Sequence, residues 1–188
     1  MPLAGRSRAQ TDLVFSVRQR LQQPEWLSGE FTQTKKVPNF VKPIVSRGDF
    51  LLARARGVRW RTLKPFASEL LLTKDEIRNT QGGHISMRLD AASEPTVRLI
   101  TALMFSLLNG DVNKLAEFFE LGGSASSSGW QLTLTPKLGV MQQLLKRVEL
   151  EGDSFVRRIQ LVETNGDESL IQLSNLRPDV APEPGLFQ

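Results

Sequence analysis

The sequence predicts an α+β fold built mainly from antiparallel strands. Three observations carry this. The apolar spacing changes from helical to alternating just after Pro24, it returns to helical spacing near residue 95, and the alternating segments are separated by short turn-like breaks with no intervening crossover helix.

The first helix is expected over Thr11 to about Gln23. Leu13, Val14, Val17 and Leu21 follow helical spacing, Thr11 or Asp12 can cap the start, and Pro24 closes it. From Trp26 the period is two, with Leu27, Gly29, Phe31 and Gln33 on one side and Ser28, Glu30, Thr32 and Thr34 on the other. After a loop holding Pro38 and Pro43, strands are expected near 45–54, 58–64, 68–73, 76–80 and 83–89, a meander of hairpins.

Residues 95–108 then read as a helix that is apolar on most sides, with Val97, Ile100, Leu103, Met104, Leu107 and Leu108 on the i, i+3, i+4 template. A second short helix is expected from Asp111 to about Leu121, carrying Leu115, Phe118 and Phe119. The glycine- and serine-rich run 122–129 reads as a flexible connector. Strands resume at 130–135, 147–151, 155–163 and 168–175. The whole is read as one domain, 1–188. It has a flexible N-terminus over 1–10, a strand-rich body over 11–175 with helices at about 95–121, and an extended tail over 176–188.

Composition removes several chemistries. With no cysteine there is no disulfide, thiol nucleophile or thiolate metal site. No run approaches the roughly 18 apolar residues of a membrane helix, and the opening MPLAGRSRAQ lacks the apolar stretch of a secretion signal. The net charge of +4 is dispersed, and aromatic residues do not alternate with Lys or Arg as nucleic-acid stacking platforms do, so no nucleic-acid partner is expected. His84 is the only histidine and reads as a polar turn residue; no metal, cofactor or catalytic group is expected. Met87, Met104, Phe105, Phe118 and Phe119 would suit an adaptable apolar cavity as well as an ordinary core.

Arg54 stands out in GDFLLARARGVRW. It shares a strand face with Phe50 and Leu52, whereas Arg59 and Arg61 point to the side expected to be wet. Two roles are open. Arg54 can snorkel at the strand end or meet a carboxylate such as Asp49 or Glu69, or it can reach backbone carbonyls of another element and act as a gate.

The strings VRQRLQQPEWLSGEFTQTKK, GDFLLARARGVRW, KPFASELLLTKDEI and WQLTLTPK resemble the LolA family, periplasmic carriers that ferry lipoproteins between bacterial membranes. Phe31-Thr32-Gln33 matches an F-x-Q signature, Gly48-Asp49 with Trp60 a paired-strand motif, and Pro65 a W-x(4)-P position, while Ala55 stands where the family commonly has proline. The resemblance implies an open, incomplete β-barrel covered by a helical lid. It also implies a cavity formed by Phe31, Phe50, Leu52, Trp60, Met87, Ile100, Leu103, Met104, Leu107, Phe118 and Phe119, with Arg54 as gate. The implied protein is a monomeric, non-enzymatic carrier with an acylated lipoprotein or lipid as cargo. Its partners would be an inner-membrane donor complex or exporter and an outer-membrane acceptor. The alternative is an enzyme or accessory protein of a lipid or pigment pathway that uses the same cavity.

Overall fold

The computed structural model describes residues 3–90, 105–106, 111–137 and 139–187. The helix expected over 95–108, with Ile100, Leu103, Met104 and Leu107, lies outside the described residues apart from 105 and 106, which are helical. Three further helices are described, α1 (Leu3–Arg20), α2 (Val112–Phe118) and α3 (Gly139–Leu144). The strands are β1 (Trp26–Lys36), β2 (Ile44–Ala53), β3 (Gly57–Lys64), β4 (Ser68–Thr73), β5 (Glu76–Gln81), β6 (His84–Asp90), β7 (Phe119–Ala125), β8 (Trp130–Pro136), β9 (Leu145–Gly152), β10 (Val156–Glu163) and β11 (Glu168–Pro178). Among the described residues they form one sheet of 11 strands in the order β6-β5-β4-β3-β2-β1-β11-β10-β9-β8-β7, whose end strands do not pair, so the sheet is not closed. Among the described residues no helix is long and apolar enough to cross a membrane.

The chain divides into two compact units. The first comprises Met1–Gln22, Thr34–Ile44 and Gly110–Gln172. Its sheet is one-sided. Along β8 buried and exposed residues alternate without a break, and Leu132 and Leu134 face Leu150 and Val148 of β9. Against that face pack Val17 of α1, Val112 and Leu115 of α2 and Met141 of α3, all buried. Asp111 caps α2, its Oδ1 accepting the Lys114 N–H at 3.2 Å. The Trp130 indole N–H donates to the Asp153 carbonyl at 2.8 Å, so burying the ring leaves no orphan donor.

Four sequence expectations change in this unit. Helix α1 begins at Leu3, inside the stretch read as flexible, where Ala, Arg and Gln favour helix, and it ends at Arg20. Helix α2 stops at Phe118, so Phe119 is not a lid-helix residue but the first residue of a strand, with no exposed surface. Half of the presumed connector belongs to that strand: residues 122–125 pair with β8, and residues 126–129 turn. Gly123 shows why composition misled. Its φ is 138°, and a Cβ there would lie 2.0 Å from the Gln131 carbonyl, so the glycine permits close strand approach. Finally, the short α3 lies where no element was expected.

The second unit comprises Gln23–Gln33, Val45–Asn109 and Leu173–Gln188. Here β2 to β5 form a hairpin meander, with residues 50–53 of β2 buried on both faces. The tail is partly strand, since β11 runs to Pro178, and it then folds back. The Asp179 N–H donates to the Trp26 carbonyl at 2.8 Å, and Phe187 lies against Gly57, where a Cβ would come within 2.8 Å of its ring.

Candidate functional site

The site is built in the second unit from two glycines and three rings. In β1, a Cβ on Gly29 would lie 2.8 Å from the Phe50 ring; in β2, a Cβ on Gly48 would lie 2.9 Å from the Phe31 ring and 1.8 Å from the Arg61 carbonyl. Each glycine therefore leaves the space into which an aromatic ring is laid. Phe31 stacks on Trp60 with ring centres 3.9 Å apart, and Phe50 lies 5.8 Å from the same indole, both tilted by 24°. Such offset stacks add to simple area burial.

Register extends this cluster into an apolar face. One cross-strand row reads Phe50, Trp60, Leu70, Asn79, Met87, and the next reads Leu52, Val58, Leu72, Ile77, Leu89. Residues two apart along each strand point the same way, so both rows share one side of the sheet. The second row is deeply buried through Ile77. In the first row Trp60 and Leu70 are half-buried, and Met87 is 40% exposed. The face thus grades from packed rings to accessible apolar surface.

The opposite side carries the row Leu51, Arg59, Leu71, Arg78, Arg88. Arg61 is solvated as expected and forms a two-point ion pair with Asp49, Nε to Oδ1 at 3.0 Å and Nη2 to Oδ2 at 2.5 Å, which holds the guanidinium even more firmly charged. Arg59 departs from the expectation of a wet side chain. It lies half-buried between Leu51 and Leu71, and its Nε is buried without a hydrogen-bond partner, because pairing in the middle of the meander leaves an outward-facing residue covered by its neighbours. A cavity of about 420 Å³ on this side is lined by Arg56, Leu71, Lys74, Glu76, Arg88 and Phe187, among others, and its lining is mainly polar.

Arg54 stands just past the end of β2, exposed. Its backbone N–H donates to the Glu25 carbonyl at 3.0 Å; its guanidinium donates through Nη1 to the Gln23 carbonyl at 3.0 Å and through Nη2 to the Gln23 side-chain oxygen. Of the roles open to it, the structure displays the capture of a backbone carbonyl, while Asp49 is held by Arg61. The carbonyl belongs to the segment leading into β1. Gln23 is a residue that sequence reasoning did not single out, and its position next to Pro24 is the signal that could have found it, because a residue before proline is biased to extended backbone at the end of a helix.

Of the expected cavity residues, Phe31, Phe50, Leu52 and Trp60 therefore converge, Met87 ends one of their rows, and Phe118 and Phe119 belong to the first unit, where Phe119 is core. Val58, Leu70, Leu72 and Ile77 complete the face; alternation in GVRWRT and the short apolar run in SELLLT are the sequence signals for most of them. His84 is exposed where β6 starts, opposite Gln81. Among the described residues no cluster of three His, Asp or Glu side chains could hold a metal.

Comparison with known proteins adds the family. No curated protein matches the sequence. Among solved structures, a LolA superfamily protein from Nitrosomonas europaea is similar at 11% identity and a TM-score of 0.52, with 95% of this chain and 97% of that one covered. A DUF1329 family protein from Desulfovibrio piger is similar at 12% identity and a TM-score of 0.52, with 96% of each chain covered. The MucA/MucB complex of Pseudomonas aeruginosa matches at 17% identity and a TM-score of 0.50; there 98% of this chain spans only 60% of the other. At such identities the likeness is one of fold. The profile of the outer membrane lipoprotein carrier protein LolA matches residues 22–188, nearly the whole chain, and so the chain belongs to the LolA family.

Proposed function

We propose that this protein is a periplasmic carrier that shields the acyl chains of a lipoprotein or lipid on an apolar face and hands them to a membrane acceptor. The observation that carries this reading is the graded face of the second unit, where the Phe31–Trp60–Phe50 stack and the Leu52 row give way to the accessible Trp60, Leu70 and Met87. A surface of planar, unbranched and γ-branched side chains repacks around an alkyl chain of variable shape. Each buried methylene contributes about 0.8 kcal/mol, so ten would supply roughly 8 kcal/mol before entropy is counted, enough for a carrier.

Release is the harder step, and Arg54 is assigned to it. A guanidinium that binds a main-chain carbonyl stabilises the empty state, and cargo must displace those bonds on entry, which weakens net retention and eases handover. Ile100, Leu103, Met104 and Leu107 are proposed to complete the apolar enclosure.

Displacement of a fluorescent fatty-acid probe and native mass spectrometry of the purified chain test the carrier reading; absence of any bound apolar ligand in both would overturn it. For the gate, Arg54→Leu is expected to hold cargo more tightly and to transfer it more slowly to acceptor vesicles. Unchanged transfer removes Arg54 from the mechanism.

A further inference from the structure

We propose that the turn joining β1 to β2, within the first unit, is a membrane-contacting tip that seats two apolar side chains among the headgroups of an anionic bilayer. The turn is rigid. The Phe40 N–H donates to the Val37 carbonyl at 3.1 Å, Asn39 takes a φ of 69°, and Pro38 and Pro43 bracket the bend. Pro38 also leans on the β10–β11 turn, where a Cβ on Gly166 would meet its Cγ at 2.9 Å.

At the apex of this ordered bend Phe40 is 71% exposed and Val41 99% exposed, with Ile44 also exposed behind them. Turns ordinarily present Gly, Asn, Asp or Ser to water, and a fixed backbone that holds a phenyl ring and an isopropyl group outward presents a ready-made apolar wedge.

Charge selects the occupant. From residue 31 to residue 48 the sequence has no Asp or Glu, while Lys36 and Lys42 are exposed on either side of the apex. Lys35 is turned toward the adjoining hairpin, 2.7 Å from Asp167 and 3.8 Å from Glu163, and offsets part of the negative charge there, which leaves Lys36 and Lys42 as the cations beside the apex. A small apolar wedge flanked by cations matches the layered chemistry of a bilayer surface, with phosphates outside and acyl chains within, better than it matches an acidic peptide, which offers nothing for Phe40 and Val41. This contact needs no cargo and goes beyond the carrier reading.

Because the chain has no cysteine, Val41→Cys creates a single attachment point for an environment-sensitive fluorophore. With empty protein and protein-free vesicles containing phosphatidylglycerol, emission is expected to rise and shift to the blue; pure phosphatidylcholine vesicles should give a much smaller response. In sedimentation with the unlabelled chain, Phe40→Ser should weaken partition by at least about tenfold, and Lys36→Gln or Lys42→Gln by about fivefold each. Val41→Asp is the second apex variant should Phe40→Ser alter the melting curve. Unchanged emission on phosphatidylglycerol vesicles, or equal sedimentation of the apex variants and the parent, overturns the proposal. So does a response that appears only when the vesicles carry membrane proteins, which would make the tip a protein-docking element.

Discussion

Strand β8 of the first unit and strand β2 of the second bury their side chains in opposite styles. Along β8 every second residue is buried, and the covered side meets helices supplied by the same unit, so its apolar demand is met internally. In β2 four successive residues, Phe50 to Ala53, are buried, yet the rows they begin run out to a half-buried Trp60 and an exposed Met87. The lesson is that a finished core and a binding surface can be made from the same strand alphabet. What separates them is whether each apolar row ends under the protein's own side chains or at an edge.

The largest test of this contrast is at glycine. Gly48→Ala places a Cβ 1.8 Å from a backbone carbonyl and into the socket of Phe31, and should destabilise by more than about 4 kcal/mol in chemical denaturation. Gly122→Ala in the first unit meets no atom within 4 Å and should stay within about 0.5 kcal/mol of the parent. Equal costs at both positions would break the account of the aromatic sockets.

Next in size, Leu134→Ala removes a fully buried side chain from the first unit and should cost about 3 kcal/mol while leaving fatty-acid probe affinity unchanged. Trp60→Ala, half-buried, should cost less, about 2 kcal/mol, yet weaken the probe at least tenfold, roughly the loss expected from removing one large apolar contact. A probe that responds to Leu134 and ignores Trp60 would move the binding surface to the other unit.

Smaller again, Arg59→Met exchanges a buried Nε without a partner for a thioether of similar length between Leu51 and Leu71. The expected change is neutral to about 1 kcal/mol stabilising, measured by thermal melting.

The smallest effect concerns pH. The hydrogen bond from Lys35 holds the Asp167 carboxyl below the ordinary carboxylate value, and the same bond holds Lys35 above the ordinary ammonium value. The depressed carboxylate contributes stability above its unfolded pKa, about 3.9, and loses it as pH falls through the lower folded value; the raised ammonium loses its contribution as pH climbs past its own folded value. Asp167→Asn should therefore lower the melting temperature slightly at neutral pH, with the difference vanishing in acid.

Much of this was legible in the residues. Alternation in VRWR and WQLTLT located β3 and β8, the short apolar run FLLA bounded by turn residues located β2, and the rings at 31, 50 and 60 fell together because their strands are neighbours in a meander. Strand β7 was hidden because Gly122, Gly123 and Ser124 read as a connector, whereas pairing with β8 makes them a strand and Gly123 a point of close approach. Arg59 was misread for a related reason. Parity tells which side of a strand a residue occupies, but only its cross-strand neighbours decide whether that side is wet. Arg54 stood out in the sequence by its place on an apolar row, whereas Gln23, to which it is bonded, is marked only by its place before Pro24, where the chain enters β1.

The stack of Phe31 on Trp60 has a practical corollary. Trp130 is only 3% exposed, its indole N–H committed to a carbonyl, so it supplies a steady background of light. Trp26 is half-buried beneath the Arg56 guanidinium, away from the stack, whereas Trp60 is half in water and pressed against a phenyl ring, so an alkyl tail laid over Trp60 would change that indole's colour and turn the unlabelled chain into an optical gauge of its own loading.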